Sequence, residues 1–302
     1  MYKYIKQWPK DREHGWSEEL QGVCHDDNNW FFTQDGKLWK FPITHRIGDK
    51  VTSENKAKGI LRNKYGHHLG DFDCCNGYLF IPVTGDGKPY IAVFSANDLS
   101  FVMKQEIKRN GAYFKSLGWC AVNPNDKRLY TSDKHCKNQF GSDCSPVLIY
   151  DIDFAVVQKK SGEFLKYRTA LMLKDEKGNV LTREHMQGGC FDNENHLHIN
   201  NGYYTSVTQS WANDKGGISV FKIPSYIAAN STPFVIRIAR SYQSGIFRYQ
   251  FNGKGQEPEG ITYWDLNKDK RAPEISGVLH AIMLDNLGIR DDDFYFKHYD
   301  RV

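Results

Sequence analysis

One segment of the sequence, GHHLGDFD (residues 66–73), places two imidazoles and two carboxylates close together. On a strand, side chains two residues apart lie on the same side, so we expect Asp71 and Asp73 to share one face, with His68 at the strand entrance. Like charges this close repel each other, and a bound cation, a shared proton or an opposing positive group relieves the repulsion. The segment therefore indicates a metal site or an acid–base site, unless Asp71 caps a turn and the imidazoles lie at the surface.

Calcium is the metal that the nearby oxygen donors favour. The candidate carboxylate ligands are Asp71, Asp73 and Glu257, and the amide oxygens of Gln21 or Gln187 and the carboxylate of Glu259 could complete the set. Such a set can supply the roughly six to eight oxygen ligands that calcium takes. A different divalent metal would require His68 or His185 to turn inward.

If the site is catalytic, these residue types favour acid–base or metal-assisted hydrolysis or elimination. His68 or His185 would act as the base, and Glu259 or the metal would stabilise charge. The side chains expected to contact a small polar or carbohydrate-like substrate are two amides and two indoles: Gln21, Gln187, Trp119 and Trp211. The sequence contains no GxSxG elbow, phosphate loop or dinucleotide fingerprint, so we expect neither nucleophilic serine chemistry nor a nucleotide cofactor.

Composition limits the class of protein. The 302 residues are 40% hydrophobic and 14% aromatic, enough to bury the core of one large all-β domain spanning residues 1–302. The net charge of +4 is spread without a basic run, which argues against a nucleic-acid partner. No stretch reaches the roughly 18 apolar residues of a membrane span, and residues 1–10 lack the apolar middle of an export signal. We expect a soluble protein; its compartment and its oligomeric state stay open, including secretion after removal of a signal.

The seven cysteines are interpreted mainly as small core residues, because the chain is too long to need a disulfide framework. Cys24, Cys120 and Cys190 each lie in a short apolar segment. Cys136 and Cys144 flank a polar stretch and would suit a loop disulfide in an oxidising compartment.

Hydrophobic periodicity predicts strands almost throughout. Runs rich in Tyr, Phe, Val and Ile alternate with Gly, Asn and Asp, as at residues 30–33, 78–83, 90–94, 147–152, 218–223 and 278–284. Helical signals are restricted to short stretches near residues 225–229 and in the loops after Asp49 and Asp98. An α/β fold would need a helix after each strand, so the pattern predicts an all-β protein.

Five segments of the chain share one plan: LQGVCHDDNNWFFTQ from Leu20, LGDFDCCNGYLFIPV from Leu69, LGWCAVNPNDKRLYTS from Leu117, MQGGCFDNENHLHINN from Met186 and PEGITYWDLN from Pro258. An apolar residue or proline precedes a polar or glycine position, a short apolar strand and a polar turn. The repeat lengths suit four-stranded blades with insertions, so the sequence predicts a five-bladed β-propeller.

The chain ends supply a check on the blade count. The last repeat is one strand short, and residues 2–8, with alternating Tyr and Ile, can complete it. Closing a ring in this way removes the exposed edges of an open sheet. A six-bladed ring is the alternative, and it would require residues 237–251 to form a blade of their own.

These repeats resemble those of the β-propeller superfamily, which includes NHL-type, quinoprotein-like and gluconolactonase-like proteins, over nearly the whole chain. The plant-type glutaminyl cyclases and the calcium-activated nucleotidases are similar in blade count and in their blade starts, here Glu259-Gly260 and Gln21-Gly22. The catalytic residues of neither family match position by position. The resemblance therefore implies a fold and transfers no activity.

In a propeller, the residues just before each inner strand surround one mouth of the central channel. The candidate residues named above fall at these positions, except Trp211, which lies in a polar segment expected to be a long loop of the fourth blade; the pattern predicts one asymmetric polar site. Two alternatives stay open: a channel whose polar side chains only bind water, and a non-catalytic propeller that binds carbohydrate or protein through its seven Trp and 17 Tyr.

Overall fold

A computed structural model describes residues 2–10, 19–34, 36–48, 68–85, 87–109, 112–114, 116–133, 146–174, 178–179, 186–201, 217–225, 227, 234–241, 257–286 and 292–302. Within these ranges, no helix has the length and apolar character needed to cross a membrane.

The described chain consists of strands and one short helix. In chain order they are β1 (Tyr2–Lys10), β2 (Leu20–His25), β3 (Asn29–Gln34), β4 (Lys37–Pro42), β5 (His68–Leu69), β6 (Asp73–Cys75), β7 (Tyr78–Thr84), β8 (Tyr90–Ser95), β9 (Phe101–Glu106), β10 (Lys108–Arg109), β11 (Ala112–Tyr113), β12 (Leu117–Val122), β13 (Arg128–Asp133), β14 (Pro146–Ile152), α1 (Phe154–Lys159), β15 (Leu165–Lys174), β16 (Met186–Phe191), β17 (His196–Asn201), β18 (Gly217–Lys222), β19 (Phe234–Ser241), β20 (Glu257–Tyr263), β21 (Leu279–Asn286) and β22 (Asp292–Arg301).

The strands form the five blades of a β-propeller, which confirms the predicted fold. From the inner strand outwards, blade 1 is β2-β3-β4, blade 2 is β5 and β6 followed by β7-β8-β9, and blade 3 is β12-β13-β14-β15. Blade 4 is β16-β17-β18-β19, and blade 5 is β20-β21-β22-β1. The inner strands lie side by side in a closed circuit in which β20 of blade 5 neighbours β2 of blade 1. The outer strands β15 and β19 also pair in parallel, which joins blades 3 and 4.

The N-terminal strand closes the ring as predicted. Strand β1 pairs antiparallel with β22 from Tyr2 opposite Arg301 to Lys10 opposite Tyr295. The first and last parts of the chain therefore share one sheet, and opening blade 5 would require breaking this ladder.

The core lies in layers between neighbouring blades. Strands such as β3 (NWFFTQ) and β7 (YLFIPVT) are apolar on both faces because a blade covers each face. Trp30 of blade 1 is fully buried, with the ring centroids of Trp264 and Phe296 of blade 5 at 4.5 and 5.6 Å. This packing between blades adds to the closure of the ring.

The helix α1 was not predicted. Asp153 caps it by accepting hydrogen bonds from the N–H groups of Ala155 and Val156, a local signal that the apolar run of β14 obscured. The helical turn expected after Asp98 is instead a tight turn, in which the Asp98 side chain accepts from Ser100. The residues after Asp49 and most of residues 225–229 lie outside the described ranges.

Candidate functional site

At the centre of the ring, the Asp71 carboxylate accepts hydrogen bonds from the main chain of three other blades. The donors are the N–H groups of Val23 in blade 1 at 3.0 Å, Gly189 in blade 4 at 2.9 Å and Ile261 in blade 5 at 3.2 Å. Asp71 itself is fully buried. One side chain of blade 2 thus connects four of the five inner strands.

The donors all occupy the same position of the sequence repeat, which is the third residue after the first residue of each repeat: Val23, Phe72, Cys120, Gly189 and Ile261. The N–H of Phe72 also bonds to the Asp71 carboxylate. The N–H of Cys120 in blade 3 donates to the main-chain oxygen of Asp71 at 2.9 Å. Residue 71 therefore receives the equivalent N–H group of every blade.

Glycines make room for this carboxylate. A side chain at Gly188 would collide with the carbonyl oxygen of Glu259 and place its Cβ 3.0 Å from Oδ2 of Asp71, and a Cβ at Gly260 would lie 2.8 Å from Oδ1. The absence of a side chain lets the strands approach closely enough for their N–H groups to reach the carboxylate.

Burial raises the pKa of Asp71 well above its usual value, and the N–H groups of Val23, Gly189 and Ile261 oppose that rise. Each of these donors would be buried without a partner if the carboxylate were absent, at a cost of about 1–3 kcal/mol per group. Asp71 consequently has the surroundings of a structural residue.

One residue closer to the strand starts lie polar side chains that the sequence analysis predicted at the channel mouth. Gln187 donates from Nε2 to Oε1 of Glu259 at 3.0 Å, which joins blades 4 and 5, and the two residues are only 2% and 4% exposed. Gln21, 8% exposed, holds the same repeat position on β2, the strand next to β20. A carboxylate and two amides therefore come from three adjacent inner strands. We call Gln21, Gln187 and Glu259 the mouth group.

The main chain beneath Glu259 is held from two directions. Asn200 of β17, fully buried, donates from Nδ2 to the Glu259 carbonyl oxygen at 3.1 Å. Two residues further along β20, the N–H of Ile261 is bound to Asp71. The position of the Glu259 side chain is consequently set by contacts with blades 2 and 4.

Asp73 lies on the far side of Asp71 from the mouth group. Its carboxylate accepts from the N–H groups of Cys74 at 2.7 Å and Val122 at 2.8 Å, which links blades 2 and 3. The residue is half-buried, but protein surrounds the carboxylate and raises its pKa to about 7, while the two N–H groups act in the opposite direction. Asp71 and Asp73 therefore bind different donors.

The structure describes only some of the other predicted site residues. His68 lies half-buried in β5, paired opposite Thr84. The main chain of Glu257 begins β20, but its side chain lies outside the described part of the structure. His185 and Trp211, and the cysteines Cys136 and Cys144, also lie outside the described ranges.

Trp119 requires a correction. It is fully buried, its Nε1 donates to Ser132 Oγ at 2.8 Å, and its ring packs against Gly189 in the layer between blades 3 and 4. A side chain with no exposed surface cannot contact a substrate, so Trp119 is a packing residue.

The predicted metal ligands do not assemble within the described ranges. No three His, Cys, Asp or Glu side chains there are arranged to hold a metal ion. The carboxylates of Asp71 and Asp73 each face main-chain N–H groups, whose positive ends point toward the place a cation would take. This geometry gives both residues a role other than metal binding, and the calcium site stays a prediction.

The sequence analysis missed the partners that define this centre. The N–H groups around Asp71 and the Gln187–Glu259 hydrogen bond depend on how distant strands are aligned. One signal existed: at the second residue after the apolar start, Asp71 stands where three of the other four repeats have glycine, namely Gly22, Gly188 and Gly260. The core assignment of Cys24, Cys120 and Cys190 is confirmed, because all three are buried.

No protein-family model and no curated protein matches the chain. Among solved structures, Myxococcus xanthus glutaminyl cyclase is similar with a TM-score of 0.50 and 10% identity, over 100% of this chain and 97% of that one. A GH43 β-xylosidase/α-arabinofuranosidase from a compost microbial metagenome, in complex with xylotriose, has a TM-score of 0.52 and 13% identity, over 99% and 95%. A GH43_1 enzyme from Xanthomonas citri complexed with xylose has a TM-score of 0.51 and 12% identity, over 99% and 89%. At these identities the likeness shows the propeller fold alone.

Proposed function

We propose that the protein is a hydrolase or lyase that acts on a small polar or carbohydrate-like substrate at the channel mouth, with Glu259 as the acid–base residue. The observation that carries the proposal is the mouth group, in which one buried carboxylate is bound by one side-chain amide. A catalytic carboxylate must be fixed in place and still be able to exchange a proton.

The three residues of the mouth group are proposed to have different roles. In Glu259, the oxygen Oε1 accepts from Gln187, which sets the orientation of the carboxylate that would exchange a proton with water or substrate. Gln21, on the adjacent strand, carries an amide that can bind substrate hydroxyl groups through its oxygen or its N–H groups. This arrangement suits proton abstraction or proton donation at a polar substrate.

Two observations support the substrate class: the chemistry of the mouth group and the ligands bound by proteins of similar fold. Amides and carboxylates are the groups with which proteins bind hydroxyl-rich ligands. Two of the similar propellers are described in complex with xylotriose or xylose. Because these proteins resemble this chain only in fold, sugars serve here as the first probes to test.

The test compares the wild type with Glu259→Gln, which keeps the shape of the side chain and removes its acid–base capacity. We would assay p-nitrophenyl β-D-xylopyranoside and p-nitrophenyl α-L-arabinofuranoside, and measure xylotriose binding by calorimetry. Loss of turnover by about 100-fold or more with little change in binding supports the proposal. The matched control is Glu274→Gln, an exposed residue of blade 5, which should leave turnover unchanged.

A binding protein would give a different pattern. If the wild type binds xylotriose but turns over neither glycoside, and Glu259→Gln binds equally well, the enzyme proposal is wrong for this class of substrate. The non-catalytic carbohydrate-binding alternative then takes its place.

Metal assistance is a separate part of the hypothesis. Calcium that binds only the folded protein would stabilise it by about 2.7 kcal/mol at a hundred times its dissociation constant. Thermal unfolding of chelator-treated protein with and without calcium measures this directly. A rise in Tm that Glu259→Gln reduces would place calcium at the mouth, whereas no rise would leave Glu259 to act without it.

A further inference from the structure

A second cavity lies outside the channel, between blade 2 and blade 3. Its volume is about 660 Å³, and its walls come from the outer strand β9 with the following residues, the side of β14, and the chain from α1 into β15. This volume is within the range of about 300–1,000 Å³ that small-molecule sites occupy. We call it the outer cavity.

Direct contacts between the two blades hold the walls of the outer cavity together. The Gln105 side chain donates from Nε2 to the Leu165 carbonyl oxygen and accepts the Leu165 N–H at Oε1, both at 2.8 Å. Tyr150 donates its hydroxyl to the carbonyl oxygen of Lys108 at 3.0 Å. Three hydrogen bonds therefore connect the two walls of the outer cavity.

The charges around the outer cavity favour an anion. The charged lining residues are Lys104, Lys108, Lys166, Glu106 and Glu163. One of the two negative charges is partly balanced from outside, because Lys88 Nζ lies 3.9 Å from Oε2 of Glu106. The cavity thus has an excess of lysines, and a ligand carboxylate or phosphate would be attracted to it.

The aromatic part of the wall includes Tyr150 and Tyr167, whose rings pack edge-on with their centroids 5.7 Å apart. The Tyr167 hydroxyl oxygen is buried within the wall. The groups that a ligand would meet are therefore mainly the charged side chains.

From these observations we infer that the outer cavity is a binding site for a small anionic ligand, a carboxylate or phosphate carried on a polar body. The lysines would hold the anionic group. The site lies apart from the mouth group, so the inference is independent of the proposed catalytic function.

The experiment measures equilibrium binding by calorimetry with four probes: galacturonate, galactose 6-phosphate, inorganic phosphate and neutral galactose. Binding of galacturonate identifies a carboxylate site, binding of either phosphate identifies a phosphate site, and galactose should bind at least about tenfold more weakly. The inference is overturned if none of the three anions binds, or if galactose binds as tightly as they do.

Two variants locate the binding. The double variant Lys104→Glu with Lys166→Glu reverses two exposed charges and should weaken anion binding by at least about tenfold. Lys268→Glu, an exposed lysine of blade 5, is the matched control and should leave it unchanged. Equal weakening by the control, or no weakening by the double variant, would place the binding elsewhere and overturn the inference.

Discussion

The channel contains two buried carboxylates one level apart whose surroundings differ in kind. Asp71 is bound by main-chain N–H groups of its own and three other blades, whereas Glu259 is bound by the side-chain amide of Gln187. Main-chain donors belong to strands and cannot move without moving a blade. A carboxylate fixed by such donors holds the structure together, while one bound by a side-chain amide can exchange that hydrogen bond without moving a blade.

The comparison is tested most strongly at Asp71. In Asp71→Asn the amide keeps one acceptor oxygen and directs its NH₂ group at main-chain N–H donors, so several buried bonds are lost at once. We expect the free energy of unfolding to fall by about 4 kcal/mol, measured by urea denaturation.

Asp73→Asn serves as the matched control, because Asp73 is half-buried and accepts from only two N–H groups. Its loss should be clearly smaller. Equal losses in the two variants would show that the centre of the channel has no special importance.

The glycine next to the Asp71 carboxylate gives the second test. In Gly188→Ala the added methyl group meets the Glu259 carbonyl oxygen and approaches Asp71, so the inner strands of blades 4 and 5 must separate. Overpacking of this kind should cost about 3 kcal/mol in thermal or urea unfolding. A variant as stable as the wild type would mean that the strands can move apart freely.

The third test concerns the imidazole of His198, a buried group with incomplete hydrogen bonding, whereas the buried carboxylate of Asp71 accepts several hydrogen bonds. His198 is fully buried, its Nε2 lies 3.0 Å from the Tyr2 hydroxyl, and its Nδ1 has no hydrogen-bond partner among the described residues. Burial lowers the pKa of His198 to about 4, opposed by the charge of Asp192. The folded protein therefore disfavours the protonated form that the unfolded chain adopts below its ordinary pKa of about 6.5.

The sign of the pH effect follows from that difference. As the pH falls from about 6.5 toward 4, the unfolded chain binds more protons than the folded protein, so stability is lost on acidification. This residue alone should cost about 2 kcal/mol at about pH 5, and His198→Gln should flatten the curve of unfolding free energy against pH. An unchanged slope would assign the acid sensitivity to other groups.

The smallest effect on stability is expected at Glu259. In Glu259→Gln the side chain still presents an oxygen to the Gln187 amide, so the free energy of unfolding should change by less than about 1 kcal/mol in urea. A loss as large as that of Asp71→Asn would show that the two carboxylates are both structural, and the comparison would fail.

Much of the fold could be predicted because its signals are local. The apolar starts at Leu20, Leu69 and Met186 and the turn residues that follow are visible in the sequence, and the strands appear where they indicate. The helix α1 escaped notice because its only marker is the cap at Asp153, and the turn at Asp98 was mistaken for helix because Asp favours both settings.

Only part of the candidate site could be predicted from these local sequence signals. Gln187 and Glu259 were both placed at the channel mouth, but no pattern indicated that they bind each other. Trp119 also lies on an inner strand, β12, but one position further along the repeat, where its buried ring packs against Gly189 of blade 4.

The sequence by itself predicted that the chain forms five blades and that residues 2–8 complete the last one, because repeat spacing and strand periodicity are properties of neighbouring residues. Only the tertiary structure decided that Asp71 is bound by the main chain of several blades and that Glu259 is bound by a side-chain amide. The N–H group of Ile261 and the carboxylate of Asp71 are 190 residues apart and meet only when the ring has closed. The role of a buried carboxylate depends on the donors that reach it, and distant strands supply those donors.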